Sequence, residues 1–295
     1  MKKNIHQEIA GLPKRSLAYD TWKRFLRNKA AVLGGIVIIL LVLMAIFADF
    51  LYDYDTQVIA QNIPESLLPP GTPGHPFGTD DLGRDLLARI VHGSRMSLIV
   101  SFSSVAMSLL IGGLLGAISG YYGGKIDNVL MRITDILLAI PMTLFAIVIV
   151  AALGPNTQNL AIALAASSIP IFARIVRGAV LTVHEEAYIE AARAIGAGNR
   201  TIIFFHILPN CLSPIIVQVT LRIANAIYNT SALSFLGMGV QPPAPEWGGR
   251  LASGRNFIYN YGYLSIIPGI AIMITILALN LLGDGLRDAL DPRLK

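Results

Sequence analysis

The chain has a single cysteine, Cys211, which excludes an intramolecular disulfide and leaves no cysteine cluster to hold a metal. Charge is scarce too. Only 14% of residues are charged, against roughly 25% in soluble domains. Between Asp49 and Gly83 there is no lysine or arginine at all. His75, His92, His184 and His206 are too scattered to form a metal site. "HEEAY" (His184 to Tyr188) lacks the second histidine of a zinc H-E-x-x-H helix, and no G-x-S-x-G is present. The nearest approach to a nucleotide-phosphate loop, "SGYYGGKI", has Ser119 where the first glycine is needed and Ile126 where a Ser or Thr would hold magnesium. These absences count against a membrane enzyme, and no cofactor is expected.

What the chain has is apolar length. Apolar residues make up 54% of it and mean hydropathy is +0.61. They fall into uncharged runs: Ala30–Ala48, Met96–Gly124 and Ile136–Ala173, the last broken by "GPNTQN" at residues 154–159. Roughly 20 helical residues cross the ~30 Å of bilayer hydrocarbon. The sequence therefore predicts an all-α integral membrane protein with six spans, at 30–50, 96–120, 134–153, 159–178, 211–236 and 262–283. The first run is longer than the ~7–15 residues of a signal-peptide core and has no small-x-small cleavage site, so it reads as a retained span.

Charge asymmetry orients the spans. Lys2, Lys3, Lys14, Arg15, Lys23, Arg24, Arg27 and Lys29 precede the first one, against Glu8 and Asp20. Such an excess stays cytoplasmic, as a segment covering residues 1–29. Six crossings return the tail, residues 284–295, to the same side. The formal charge of +5 is accounted for by these span-flanking residues, so no nucleic-acid partner is implied; the bilayer is the surface they meet. Residues 51–95 are expected outside, as a Pro/Gly-rich cap ("PESLLPPGTPGHPFGTD") followed by an interfacial helix. That helix, "DLLARIVHGSRMSL", is expected to let Arg84, Arg89 and Arg95 reach out to water. The permease core would then occupy 96–283.

Two spans carry polar faces. Ser97, Ser101, Ser104 and Ser108 share one helix face, as do Gln218, Arg222, Asn225 and Asn229. From Cys211, Arg222 lies ~16 Å along the helix, a depth that demands a cavity or a partner. One reading is a hydrated path for a polar solute, with Ser101, Ser104 and the four polar residues of the fifth span as candidates. The other is structural: serines bonded to their own helix, and Arg222 paired with Asp135 or another subunit. Gly112, Gly116, Gly120 and Gly124, four residues apart, suit close helix approach within the chain.

The segment from Glu185 to Asn210 is unlike its surroundings. It reads as a short acidic-ended helix with a bare strip at Ala187, Ala191 and Ala194. Gly196 and Gly198 break it, and Asn199 caps a second helix that runs to Leu208 and Pro209. A strip without bulk suits docking into a groove on another protein. The segment resembles the EAA loop of bacterial ABC importer permeases: E-A-A, three residues, G, nine residues, then I-x-L-P. Glu190, Ala191, Ala192, Gly196, Leu208 and Pro209 match it, and His206 stands at the isoleucine position. "FGTDDLGRDLLARIVHGSRMSL", "SFLGMGVQPPAPEWG" and "NLLGDGLRDALDPRLK" are similar to blocks of the dipeptide, oligopeptide and nickel branch. Within it the chain resembles the second of the two unlike permeases.

The resemblance implies a six-helix type I importer permease in the bacterial inner membrane, with residues 179–210 forming a cytoplasmic coupling loop. It implies as partners a second homologous permease, two ATP-hydrolysing subunits and an extracytoplasmic solute-binding protein. Dipeptides or oligopeptides are the expected solute and nickel chelates the alternative. A passive channel or ion-coupled secondary transporter would accommodate Arg222 but not this loop.

Overall fold

The computed structural model describes residues 17–290; Lys2, Lys3, Glu8, Lys14, Arg15 and Arg293 lie outside that range. Among the described residues the regular structure is helical. Helix α1 (Leu17–Arg27) is short and amphipathic, and α2 (Lys29–Ile46) is the first apolar span. The Asn28 side chain accepts from Ala31 N at 3.2 Å, a cap worth about 1 kcal/mol that separates the two. The cap segment follows, then α3 (Leu86–Tyr122), α4 (Gly124–Leu138), α5 (Met142–Leu153) and α6 (Thr157–His184). After the short α7 (Ala187–Ala194) come α8 (Leu208–Phe235), α9 (Trp247–Gly254) and α10 (Tyr263–Leu290).

Five helical runs are long and apolar enough to cross a bilayer, and a sixth crossing arises if α4 and α5 span together. The span expected over 134–153 is broken by a sharp bend. The two helices meet at 85°. Pro141 is the cause: it disfavours helical backbone at Ile140 and has no N–H to give to the preceding turn. At ~1.5 Å per residue the 12 residues of α5 reach only ~18 Å, short of a crossing.

The bundle centre is the pair α3 and α6. A Cβ on Gly112 would stand 2.5 Å from Ile169 O, and one on Gly120 2.9 Å from Arg177 O. Glycine spacing thus brings the two backbones together, the role small residues play where lipid supplies no hydrophobic drive. Gly124 is outside this contact. With φ of +55° beside Gly123 at +61°, it makes the turn into α4. Arg177 of α6 grips Asp127 of α4 with two bonds of 2.5 and 2.6 Å, and Ser119 donates to the same carboxylate. Asp135 pairs with Arg174 at 2.6 Å, not with Arg222.

At the end opposite α7, the cap is fastened to the bundle by buried charge. Arg84 and Arg89 do not reach to water; they are 6% and 1% exposed. Both turn onto Asp80, which is 2.8 Å from Arg84 Nε, 3.7 Å from Arg89 Nε and 2.6 Å from Arg250 Nη1 on α9. Arg89 also donates to Val58 O and Pro243 O. The interfacial helix expected before the second span is instead the first turns of α3, which is continuous through residue 95. Only Arg95 stays near the rim, bonded to Asp49 at 2.9 Å and to Ala45 O. Tyr263 OH closes the cap by donating to Leu68 O and Thr79 O.

Candidate functional site

Helix α7 is attached by its inner face. Ile189 is fully buried among Tyr121, Val176, Val180, Ile202, Ile207 and Cys211, so the ends of α3, α6 and α8 share one small core beneath it. Tyr121 OH donates to Asn199 Oδ1 at 2.7 Å, and the Arg193 guanidinium sits 5.5 Å over the Tyr121 ring. Arg193 in turn donates to His184 Nε2. The outer face carries Ala187, Glu190, Ala191 and Ala194, all exposed, and ends at Ile195, 87% exposed. Ala192 does not join that face: it is 8% exposed and packs against its own chain.

Gly196 ends α7. Its φ is +88°, its N–H donates to Arg193 O, and Ala197 N donates to Ala192 O at 3.0 Å. This pair of bonds is the Schellman stop, which needs a left-handed residue just past the helix. Asn199 is not a cap; the preceding Gly198 holds that place, and Asn199 receives the Tyr121 hydroxyl. Nor does the next helix stop at Pro209. Helical structure is continuous from Asn199 to Phe235. Pro209 cannot donate to the turn before it, and the chain widens into a π-helical turn at Ile202–Ile207, where Leu208 N bonds Ile203 O. Leu208 is half-buried and Pro209 exposed at the root of α8.

The polar residues of α8 divide. Gln218 is half-buried and lines a cavity of about 420 Å³ with Ser213 and Arg287. Arg222, 14 residues past Leu208, is half-buried and has no hydrogen-bonding or ionic partner among the described residues. Asn225 is exposed and donates to Leu221 O; Asn229 is buried and donates to Asn225 O at 2.8 Å. The serines of α3 turn inward. Ser101 and Ser104 are 0% and 2% exposed and donate to Ser97 O and Ser101 O of their own helix. Ser101 also stands 3.5 Å from Thr230 of α8. In this chain they pack between α3 and α8.

Sequence reasoning missed a second buried group near the cap. Glu246 caps α9, accepting from Gly248 N and Gly249 N at 3.0 and 2.9 Å and from Ser97 Oγ at 3.1 Å. Burial pushes its carboxyl above the ordinary range, against the pull of those donors. Trp247, fully buried, donates Nε1–H to Ile90 O at 2.9 Å. The "PEWGG" run was the only signal, and nothing in its spacing announces burial.

A helical bundle crossing the membrane, with an exposed alanine-faced helix one short turn away from a polar-faced span, defines the membrane component of a type I ABC importer. The chain belongs to the family of binding-protein-dependent transport system inner membrane components, which it matches over residues 112–295. Residues 16–70 match the N-terminal transmembrane domain of oligopeptide transport permease C. Over 276 residues it is 48% identical to the dipeptide transport system permease protein of Alkalihalophilus pseudofirmus, covering 94% of this chain and 90% of that one. The di/tripeptide permease of Pseudomonas aeruginosa is 45% identical over 299 residues, 99% and 98% of the two chains. The glutathione transport system permease of Pectobacterium atrosepticum is 45% identical over 276 residues, 94% and 91%. Among solved structures, the inward-facing methionine ABC transporter MetNI shares the fold, with a TM-score of 0.57 at 21% identity over 69% of this chain and 96% of that one.

Proposed function

We propose that this chain is one of two permeases of an ATP-driven importer of short peptides, and that Ala187–Ala194 is the helix through which partner ATPases drive it. In this reading residues 1–29, the α7 segment (179–210) and the tail (284–295) face the cytoplasm, and 51–95 form the outer cap where a solute-binding protein delivers. ATP hydrolysis belongs to two partner subunits, since this sequence holds no phosphate loop. Dipeptide, di/tripeptide and glutathione permeases at 45–48% identity support a short peptide as the solute. The single observation that carries the coupling role is the division of α7 into a buried face, Ile189 and Ala192, and an exposed bare face, Ala187, Ala191 and Ala194. The buried half fixes the helix to three span ends; the bare half leaves a backbone that a cleft can enclose closely. Gly196 sets where the helix stops, and Leu208 and Pro209 lie inside the helical run that begins at Asn199, at the root of α8. Glu190 offers the exposed face one carboxylate. Gln218, Arg222 and Asn225 are the residues proposed to meet the solute path.

The test is the reconstituted complex. Peptide-loaded binding protein should stimulate its ATPase, and Ala191→Trp should leave insertion and assembly intact while transport falls at least about tenfold. Wild-type uptake by that variant at normal expression would remove α7 as the coupling element.

A further inference from the structure

Helix α3 has purchase at both ends of the bundle. Its 37 residues rise ~55 Å, well beyond the ~30 Å of bilayer hydrocarbon. Helices α6, α8 and α10 each carry an internal proline, at Pro170, Pro214 and Pro268, and α3 carries none. A proline interrupts the hydrogen-bond ladder and lets a helix bend. The glycines of α3 do not soften it, because Gly112, Gly116 and Gly120 lie against the backbone of α6. It is built to move as a rod.

The outer end of the rod is gripped by the cap: Arg89 holds Val58 O and Asp80, and Trp247 donates to Ile90 O. The other end is Tyr121, the last residue but one, which is 7% exposed. That side chain touches both halves of the segment beyond α6. Its hydroxyl donates to Asn199 Oδ1 at 2.7 Å, where the run that becomes α8 begins. Its ring lies 5.5 Å beneath the Arg193 guanidinium of α7 and meets the His184 ring edge-on at 5.6 Å. Arg193 also donates to His184 Nε2, so it is held between α3 and the last residue of α6. Apolar burial of Ile189 attaches α7 without direction. The hydroxyl bond and the cation over the ring fix where the segment stands relative to α3.

We propose that Tyr121 is a positioning residue for coupling: it keys the α7 segment to α3, and α3 carries any displacement of that segment, as a rod, to the outer cap. The face for the ATPases and the face for the binding protein then report to each other along one helix. The use made of the key rests on the coupling role proposed above for α7; the key itself does not.

Two measurements test it. Hydrogen exchange on the full-length chain in lipid nanodiscs reads the key and needs no ATPase. Tyr121→Phe keeps the ring and loses the hydroxyl, so amides of residues 202–207 should exchange about fivefold faster, the contribution of one hydrogen bond. Residues 191–197 should be unchanged in that variant. Tyr121→Leu removes both contacts, and residues 191–197 should then speed up about threefold as well, the contribution of an exposed cation over a ring. The second measurement is the ratio of ATPase activity with peptide-loaded binding protein to basal activity in the reconstituted complex. It should fall about fivefold in Tyr121→Leu, the low end of coupling between distant sites, and about twofold in Tyr121→Phe, which preserves the packing. Basal activity should be unchanged, whereas a merely structural role would lower both activities together. Wild-type exchange in Tyr121→Leu would overturn the proposal, as would a wild-type ratio in either variant. Ala191→Trp separates the two readings: uncoupling there, beside a wild-type ratio in Tyr121→Leu, would keep α7 and remove Tyr121. Normal transport by Ala191→Trp would overturn both.

Discussion

Asp80→Ala is the sharpest probe of how the outer cap is held. The carboxylate is 2.8 Å from Arg84, 2.6 Å from Arg250 and 3.7 Å from Arg89, and it accepts from Leu82 N and Arg84 N at 2.9 and 3.0 Å. All three guanidiniums are at most 9% exposed, so solvent screens them little. Removing the shared anion leaves three cations packed together. Breaking a buried pair from one side costs about 3–5 kcal/mol, which for a chain of this size lowers the unfolding temperature on the order of 10 °C. Asp80→Asn keeps the acceptor for the two amides and should cost less. Pairing it with Arg250→Gln should recover part of the loss, a coupling of at least about 1 kcal/mol between touching residues. Burial alone would raise the Asp80 pKa, but Arg250 and Arg84, then Arg89, outweigh it and hold it below the usual carboxylate range. A depressed carboxylate contributes its full stability above the ordinary value of about 3.9, and loses it only as pH falls through its own lower value. The cap should therefore resist mild acid, and Asp80→Asn should abolish that acid-side dependence. The assays are thermal unfolding followed by tryptophan fluorescence (Trp247 lies beneath the cap) and proteolysis of residues 52–83. An Asp80→Ala chain that melts within a degree of wild type, with an uncleaved cap, would refute this account.

Two further outcomes follow from the bundle. Gly116→Leu should block stable insertion, because its Cβ would meet Arg177 N at 2.9 Å, whereas Gly113→Ala, with contacts at 3.8 and 4.0 Å, should stay within about 0.5 kcal/mol of wild type; detergent-resistant yield of the two variants measures this. Arg222→Ala should lower peptide uptake at least about tenfold with complex assembly unchanged, and Arg222→Lys should restore part of it; equal uptake by all three would make Arg222 structural.

Lipid made most of the fold legible. A crossing needs about 20 apolar residues, and such a run shows plainly in the sequence. The bend in the third span is not legible because a run of hydrophobicity carries no information on direction: Ile136 to Leu153 holds no charge, yet the chain turns through 85° at Pro141. The outer arginines were misread for a related reason. Asp80 and Arg84 stand four apart and could have been paired on sight, but their burial depends on Arg250, 170 residues away. Periodicity placed the four serines of α3 on one face correctly. It could not say that the face would meet Thr230 of α8.

The α7 segment was more legible because its signals are local. A glycine past a helix end fixes a Schellman turn through its own φ, and alanines leave a bare strip wherever the helix sits. What the sequence left out is the join. Read linearly, Pro209 separates a loop helix from a span. In the fold, one helical run from Asn199 to Phe235 passes through it and carries Arg222 at its middle. A force applied to α7 passes into that run across the Gly196–Gly198 turn and through the core that Ile189 shares with Ile202, Ile207 and Cys211, and then reaches Arg222 along one helix. The π-helical turn at Ile202–Ile207 and the prolines at 209 and 214 are where that run lacks ordinary i to i−4 bonds. Bending should concentrate there, and beyond Pro214 the polar face should move as a single rigid piece.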